Sequence, residues 1–300
     1  MSILWDSLST SALVGLLPSV PVLPYLTRWP AIFIGTLLLI YVLRRRTSVT
    51  WLQLAGEILI VVPAYFLYFL VRGLVETREA EAFQRSIRVI EFEHAANIFW
   101  EPGLQERLLR FDLLVDIMNW TYIWGHWPVI VLAAVWLFLL HRDSYPVYRN
   151  AFLISGAIGI ITFALLPVAP PRFMDAWGFV DTVAERSHSY RVLQPPAFVN
   201  QYAAMPSLHF GWNLLVGIAI VRHASGRWLK LVGLVMPAVT FSAIVLTGNH
   251  YIVDGVAGGM LALFGLAMAM LLHNVLQRRQ TPPDGQAVPL PTAPGPGLRA

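Results

Sequence analysis

Seven apolar runs recur along this chain, at about 30–43, 52–75, 121–141, 151–167, 206–222, 229–247 and 251–275. Every second run is followed by a short basic segment: Arg44, Arg45 and Arg46; then Arg142 and Arg149; then Arg222, Arg227 and Lys230; then Arg278 and Arg279. A helix needs about 20 apolar residues to cross the hydrocarbon of a bilayer. The pattern therefore predicts an all-α, polytopic membrane bundle with six core transmembrane helices and an extra N-terminal one. Pro18, Pro21 and Pro24 prevent a clean span ahead of the first run.

Composition agrees. Hydrophobic residues make up 57% of the chain and charged residues only 13%, against about 25% charged in soluble domains. The formal charge of +4 comes from Arg scattered between apolar runs, with Lys230 the single Lys. Such scattering makes no basic stripe and excludes a nucleic-acid partner. With no Cys, disulfides and thiolate metal sites are excluded.

Basic loops stay on the cytoplasmic side. The remaining segments, 76–120, 168–205 and 248–250, are then extracytoplasmic. Segment 76–120 carries five Arg against nine Asp or Glu, which fits that side. It also has helical periodicity, with Phe83, Ile87, Ile90 and Ile98 on one face and Leu104, Leu108, Phe111, Val115 and Met118 on another. Pro102 and Gly103 stand between the two sets. Two interfacial amphipathic helices over the outer mouth would give this pattern, and so would a packed cap without chemistry. The tail, with six Pro and three Gly in 280–300, predicts disorder. The organisation is thus an N-terminal membrane segment 1–50, a membrane domain 51–277 and a cytoplasmic tail 278–300.

Polar residues converge on the outer face. His209 opens the fifth run, His250 and Asp254 open the last, and Pro170, Pro171 and Arg172 follow the fourth. Arg149 lies on the opposite face. Taken singly, each has a structural reading: an interfacial His, an Asp at the positive end of a helix dipole, an Arg on a headgroup. Together they suggest more. His250 and Asp254 are four apart and share a helix face, as an imidazole and the carboxylate that orients it do in hydrolases. Pro206 and Ser207 fit a helix start, which binds phosphate. Ser207 adds a hydroxyl, and Arg172 a planar fork for phosphate oxygens. Asn249 adjoins His250. Tyr122 and His126, four apart near the outer end of the third run, could line the pocket, although Tyr122 also suits an aromatic belt.

The run "PSLH" at 206–209, followed about 40 residues later by "HYIVD" at 250–254, resembles the second and third signature motifs of the type 2 phosphatidic acid phosphatase superfamily. The resemblance covers about 120–275. It implies that His250 is a nucleophile forming a phosphohistidine, that Asp254 orients it, and that His209 protonates the leaving group. Two features depart from the phosphatases. The Ser-Arg pair that they carry seven and six residues before the nucleophile is Ala243 and Ile244 here, and their first motif is absent, with "APPRF" at 169–173 as its only substitute. Leu208 and the pair His250–Tyr251 are instead similar to the inositol phosphorylceramide synthase and sphingomyelin synthase branch. Many actinobacterial membrane proteins resemble this chain, which implies a bacterial plasma membrane location. The resemblance implies a phospholipid or polyprenyl phosphate substrate, an alcohol or water as acceptor, and no cofactor.

Other classes remain open at this level. Two His and one carboxylate could form a facial metal triad, although Arg172 argues against a cation. A transporter would place its ionisable groups nearer mid-membrane. A serine protease would need a Gly-x-Ser-Gly sequence, which is absent. Because the chain has no native Cys, topology can be read directly. His188→Cys is expected to react with an impermeant thiol reagent from outside the cell, and Ser225→Cys is expected not to. The reverse labelling would move the site to the cytoplasm.

Overall fold

The computed structural model describes Tyr41 and residues 49–74, 78–186 and 201–280. The rest of the run at 30–43, the prolines before it, residues 187–200 and the tail 281–300 lie outside the described residues. The chain divides into two compact units, Met1–Leu54 and Ala55–Ala300; every contact discussed below lies in the second.

The described elements are helical: α1 (Trp51–Leu74), α2 (Glu79–Ala95), α3 (Glu101–Leu108), α4 (Asp112–Trp124), α5 (Trp127–Leu140), α6 (Tyr145–Leu165), the short α7 (Thr182–Arg186), α8 (Leu208–His223), α9 (Arg227–Leu246) and α10 (Ile252–Gln280). Among these residues the β structure is limited to one isolated bridge, Val168 with Ala203. Four helices, α1, α6, α9 and α10, are long and apolar enough to cross a membrane, and the bent pair α4–α5 makes up to five.

This differs from the expected spans in two places. The run at 121–141 is not one helix. It bends by 50° between α4 and α5, with His126 at the corner as the residue before α5. Pro128 gives the reason: its ring has no N–H for the helical bond and collides with the carbonyl four residues back. The run at 206–222 becomes α8, of 16 residues, about 24 Å at the helical rise and so shorter than the bilayer hydrocarbon. It need not match lipid, because it is the central helix, packed against α5, α6, α9 and α10. Leu208, Trp212, Leu215, Val216 and Ala219 are all buried there.

The outer segment also folds differently. It forms three helices, broken at Ala96–Trp100, where Asn97 takes a left-handed φ of 57°. Pro102 lies in the first turn of α3, where its fixed φ starts a helix and its missing N–H costs nothing. The buried face of α2 is Ala82, Ser86, Ile90 and Glu93, not the predicted Phe83, Ile87, Ile90 and Ile98. Ile87 is exposed, and Ile98 lies beyond the helix end. Small residues win because α2 lies against main chain: Ala169 N–H donates to Ala82 O (3.3 Å), and Ser86 Oγ donates to Ala169 O (2.8 Å). Satisfying buried backbone groups outweighs burying two more apolar side chains.

Arg149 belongs to a different part of the bundle from the converging residues. Its Nη1 donates to both Glu57 oxygens, at 2.7 and 2.8 Å, and its Nε to Asn150 Oδ1 at 3.1 Å. Both side chains of the pair are about four-fifths covered. An ionisable group within a membrane helix needs a partner of this kind, and the pair ties α1 to α6.

Candidate functional site

The two motif helices start side by side. Ser207 N–H donates to Asp254 O at 2.9 Å, so the residue before α8 is bonded to the first turn of α10. Backbone contact this close needs residues without a Cβ. A Cβ on Gly258 would stand 2.0 Å from Ser207 O, and one on Gly211 would stand 2.4 Å from Gly258 O. Small residues at helix crossings in membranes permit this approach. Ser207 also caps α8, its Oγ accepting from Phe210 N–H at 3.5 Å. Asp254 plays the matching part on α10: Oδ2 accepts from Tyr251 N–H at 3.0 Å, a capping carboxylate reaching back along the first turn.

His250 stands between these starts and is buried. Its Nδ1 is 2.8 Å from Ala204 O and 3.5 Å from Asp254 Oδ2. A carbonyl oxygen only accepts, so Nδ1 carries the hydrogen and Nε2 keeps the lone pair. Sequence reasoning expected Asp254 to hold this tautomer. The shorter bond goes to the main chain, and Asp254 supplies the longer second contact and the cap.

His209 is held by stacking. Tyr122 lies parallel to it at 4.6 Å between centroids and 11°, and His126 at 4.0 Å and 22°. His126 in turn stacks on Trp212 at 5.8 Å and 7°. Asn213 donates through its amide to His209 O at 2.9 Å and lies 3.3 Å from His126 Nδ1. An amide that spends one hydrogen on a carbonyl offers the other to that ring nitrogen, which makes His126 the neutral acceptor. The His209 and His250 centroids are 6.2 Å apart, close enough for both rings to reach one small group between them. Tyr122 and His126 thus sit at the site, against His209.

Arg172 and Asn249 are also brought together. Arg172 Nη1 donates to Asn249 Oδ1, Nε lies 3.4 Å from Asp181 Oδ2, and the guanidinium stacks over Phe173 at 4.8 Å. Arg172 N–H donates to Gly248 O at 2.7 Å. Gly248 has φ 70°, and a Cβ there would meet Val180 O at 2.8 Å, so the turn before His250 requires glycine. Asn249 turns inward, its amide donating to Thr247 Oγ1 at 2.8 Å. It therefore orients Arg172. Ala243 and Ile244, where the phosphatase pattern has Ser-Arg, are fully buried in an apolar cluster with Tyr122, Ile123, Val183 and Val245. Ile244 contributes only its carbonyl, which accepts from His250 N–H at 3.0 Å.

Sequence reasoning missed several residues. Asn213 and the Ala204 carbonyl carry no motif signal beyond lying near "PSLH". Gln105 is buried, bonding both to Val180 backbone groups and to Leu246 O. Glu93 and Glu101, fully buried, accept from Val253 N–H at 3.0 Å and Ile252 N–H at 2.9 Å. An acid in phase with Ser86 and Ile90 on α2 was the only available hint. The facial metal triad is corrected by the same geometry. Asp254 turns to the backbone and to His250 Nδ1, and among the described residues no three His, Asp or Glu side chains are grouped to hold a metal ion.

Gly258→Ala tests the contact between the helix starts. A misplacement of about 1 Å can cost on the order of 10² in rate, and a loss of that size is expected. Gly259→Ala meets side chains alone, the ring edge of Phe210 at 2.8 Å and Leu214 at 3.6 Å, which can shift, so it should cost several-fold at most. Turnover of the two variants on a phosphate ester checks this, and equal losses would contradict it.

No curated protein and no solved structure matches the chain. The family model of the PAP2 superfamily matches residues 87–268, a stretch that runs from α2 through most of α10 and includes the two histidines, Asp254 and Arg172. Members of that superfamily act as phosphatases or phosphotransferases on phosphate esters, and this chain, a helical protein with four helices long and apolar enough to cross a membrane among the described residues, belongs to the PAP2 superfamily.

Proposed function

We propose that this protein is a membrane phosphotransferase that passes a phosphoryl-linked group from a lipid phosphate or phosphodiester to an alcohol, with its site on the extracytoplasmic face. The observation that carries the reading is the pairing of His250, whose Nε2 is left with its lone pair by the Ala204 bond, with His209 at 6.2 Å. His250 Nε2 attacks phosphorus in line, and the bond from phosphorus to the leaving oxygen breaks. His209 gives that oxygen its proton, then takes one from the acceptor as the acceptor oxygen attacks the phosphohistidine. Arg172 faces the phosphate oxygens, steadied by Asn249 and Asp181. Ser207 keeps its hydroxyl hydrogen for a phosphate oxygen, since the cap uses only its lone pair.

An apolar cavity of about 280 Å³ supports a lipid substrate. It lies between α1, α5, α6 and α8, lined by Tyr65, Tyr68, Trp127, Ile130, Trp212 and Leu215. Trp212 is the residue on which His126 stacks, so one wall of the cavity backs onto His126. Burial of His250, Asp254 and Ser207 under the outer segments favours transfer over hydrolysis, because a transferase must keep water from its intermediate. The apolar replacement of Ser-Arg by Ala243 and Ile244, and the similarity to the inositol phosphorylceramide synthase branch, point the same way. A lipid phosphate phosphatase is the second reading, and the same residues would serve it with water as acceptor.

General acid catalysis is worth about 10² to 10⁴, and a good leaving group does not need it. His209→Ala should therefore lose that factor on an alkyl phosphate and recover most of it on p-nitrophenyl phosphate. His250→Ala should be inactive on both. Equal loss of His209→Ala on the two substrates would make His209 a structural or phosphate-binding residue.

The acceptor is tested with a radiolabelled lipid phosphodiester and added inositol or diacylglycerol. Label is expected in a new lipid, in excess of the labelled phosphomonoester that water would release from the diester. Release of the phosphomonoester alone, whatever alcohol is present, would establish the hydrolase.

A further inference from the structure

The first four N–H groups of a helix, counted from the residue before it, have no partner within it. In α10 three of the four are met by carboxyls: Tyr251 by Asp254, Ile252 by Glu101 and Val253 by Glu93. Only Asp254 belongs to the motif. The other two come from α2 and α3, about 150 to 160 residues earlier in the chain. Each glutamate spends Oε1 on the helix, and each Oε2 is buried without a donor. Two fully buried carboxylates side by side, next to Asp254, would repel strongly, and one proton held between the two Oε2 atoms supplies the missing donor and removes the repulsion.

We propose that Glu93 and Glu101 form a proton-sharing pair that positions His250 from outside the signature motifs, by clamping the start of the helix on which the reactive imidazole depends. This rests on His250 being the nucleophile. The clamp fixes Ile252 and Val253, and with them the turn that carries His250, Tyr251 and Asp254. With three of those four N–H groups already filled, the start of α10 is a poor cradle for a phosphate. The substrate's charge is left to Arg172, Ser207 and the start of α8.

The groups facing Glu93 agree with a shared proton. Burial pushes its carboxyl up to about 9, with the hydrogen bond and charge of Glu101 and the charge of Asp254 adding to this, and the Val253 N–H opposing. Tyr251 lies against the same acids and is itself shifted upward, mainly by burial. His250 faces the cluster through Asp254. The sign follows. Glu93 keeps a proton in the folded protein that it loses near its ordinary value when unfolded. Its contribution to stability is complete below about 4.5 and is lost as pH rises to about 9.

Glutamine reproduces the protonated pair: its Oε1 accepts from the helix and its Nε2 donates to the partner's Oε2. Glu93→Gln and Glu101→Gln should each keep kcat within about threefold at neutral pH. Glu93→Gln should also flatten the fall in thermal stability between neutral pH and about 9, the value to which burial pushes Glu93. Glu93→Ala should lose on the order of 10² in kcat with KM within about twofold, as a misplaced reacting group does.

The stability profile is also to be measured in His250→Ala, with and without Glu93→Gln, in detergent. That comparison does not depend on turnover, so failure of the phosphohistidine reading leaves it intact. Glutamine variants as inactive as alanine would overturn the positioning role. A pH profile unchanged by Glu93→Gln would overturn the shared proton.

Discussion

The single bond from Ser207 N–H to Asp254 O, with the glycines that permit it, underlies the rest of the site. It sets α8 and α10 start to start, and both histidines take their positions from that. His250 follows the turn into α10 and His209 lies one residue into α8. Had either Gly211 or Gly258 a side chain, the helices would part and the imidazoles with them. The buried, multi-sided packing of α8 then holds the arrangement from behind. That is why a helix too short to cross a bilayer can occupy the middle of a membrane bundle.

Around this contact the charges are arranged in two groups. Three carboxyls gather under the start of α10, and the guanidinium of Arg172 is held by Asn249, the residue before His250, and by Asp181. A helix start would ordinarily attract a phosphate. Here that attraction is already spent on side chains, while the start of α8, capped only through the weak bond of Ser207, is left for a ligand. Helices α2 and α3 therefore bring two buried carboxyls to the start of α10.

Much of this was legible in the sequence for a plain reason. Apolar runs and basic loops report membrane helices one residue at a time, and a spacing of four brings His250 within 3.5 Å of Asp254, although His250 stands in the turn before α10 and not on the helix face expected of it. Convergence of "PSLH", "HYIVD" and Arg172 on one face followed from counting crossings, and the structure brings those segments together. What was not legible depends on partners far away in the chain. Nothing local tells that Glu93 will face a helix start, or that Asn249 will turn from the pocket to hold Arg172. The break at His126 was marked by Pro128 and passed over because the run stayed apolar through it. The buried face of α2 was misjudged because periodicity counts apolar side chains, whereas this face was chosen by hydrogen bonds to Ala169 and to α10.

The bond from His250 Nδ1 to the Ala204 carbonyl has a consequence for how this protein can vary. A tautomer held by a side chain is lost to one codon change. A tautomer held by the main chain persists through any substitution at 204 that leaves the path of the chain alone, since every residue brings the same oxygen. The tautomer of the His250 ring is thereby inherited from the fold, and random mutation reaches it by bending the backbone that the bridge between Val168 and Ala203 keeps in line.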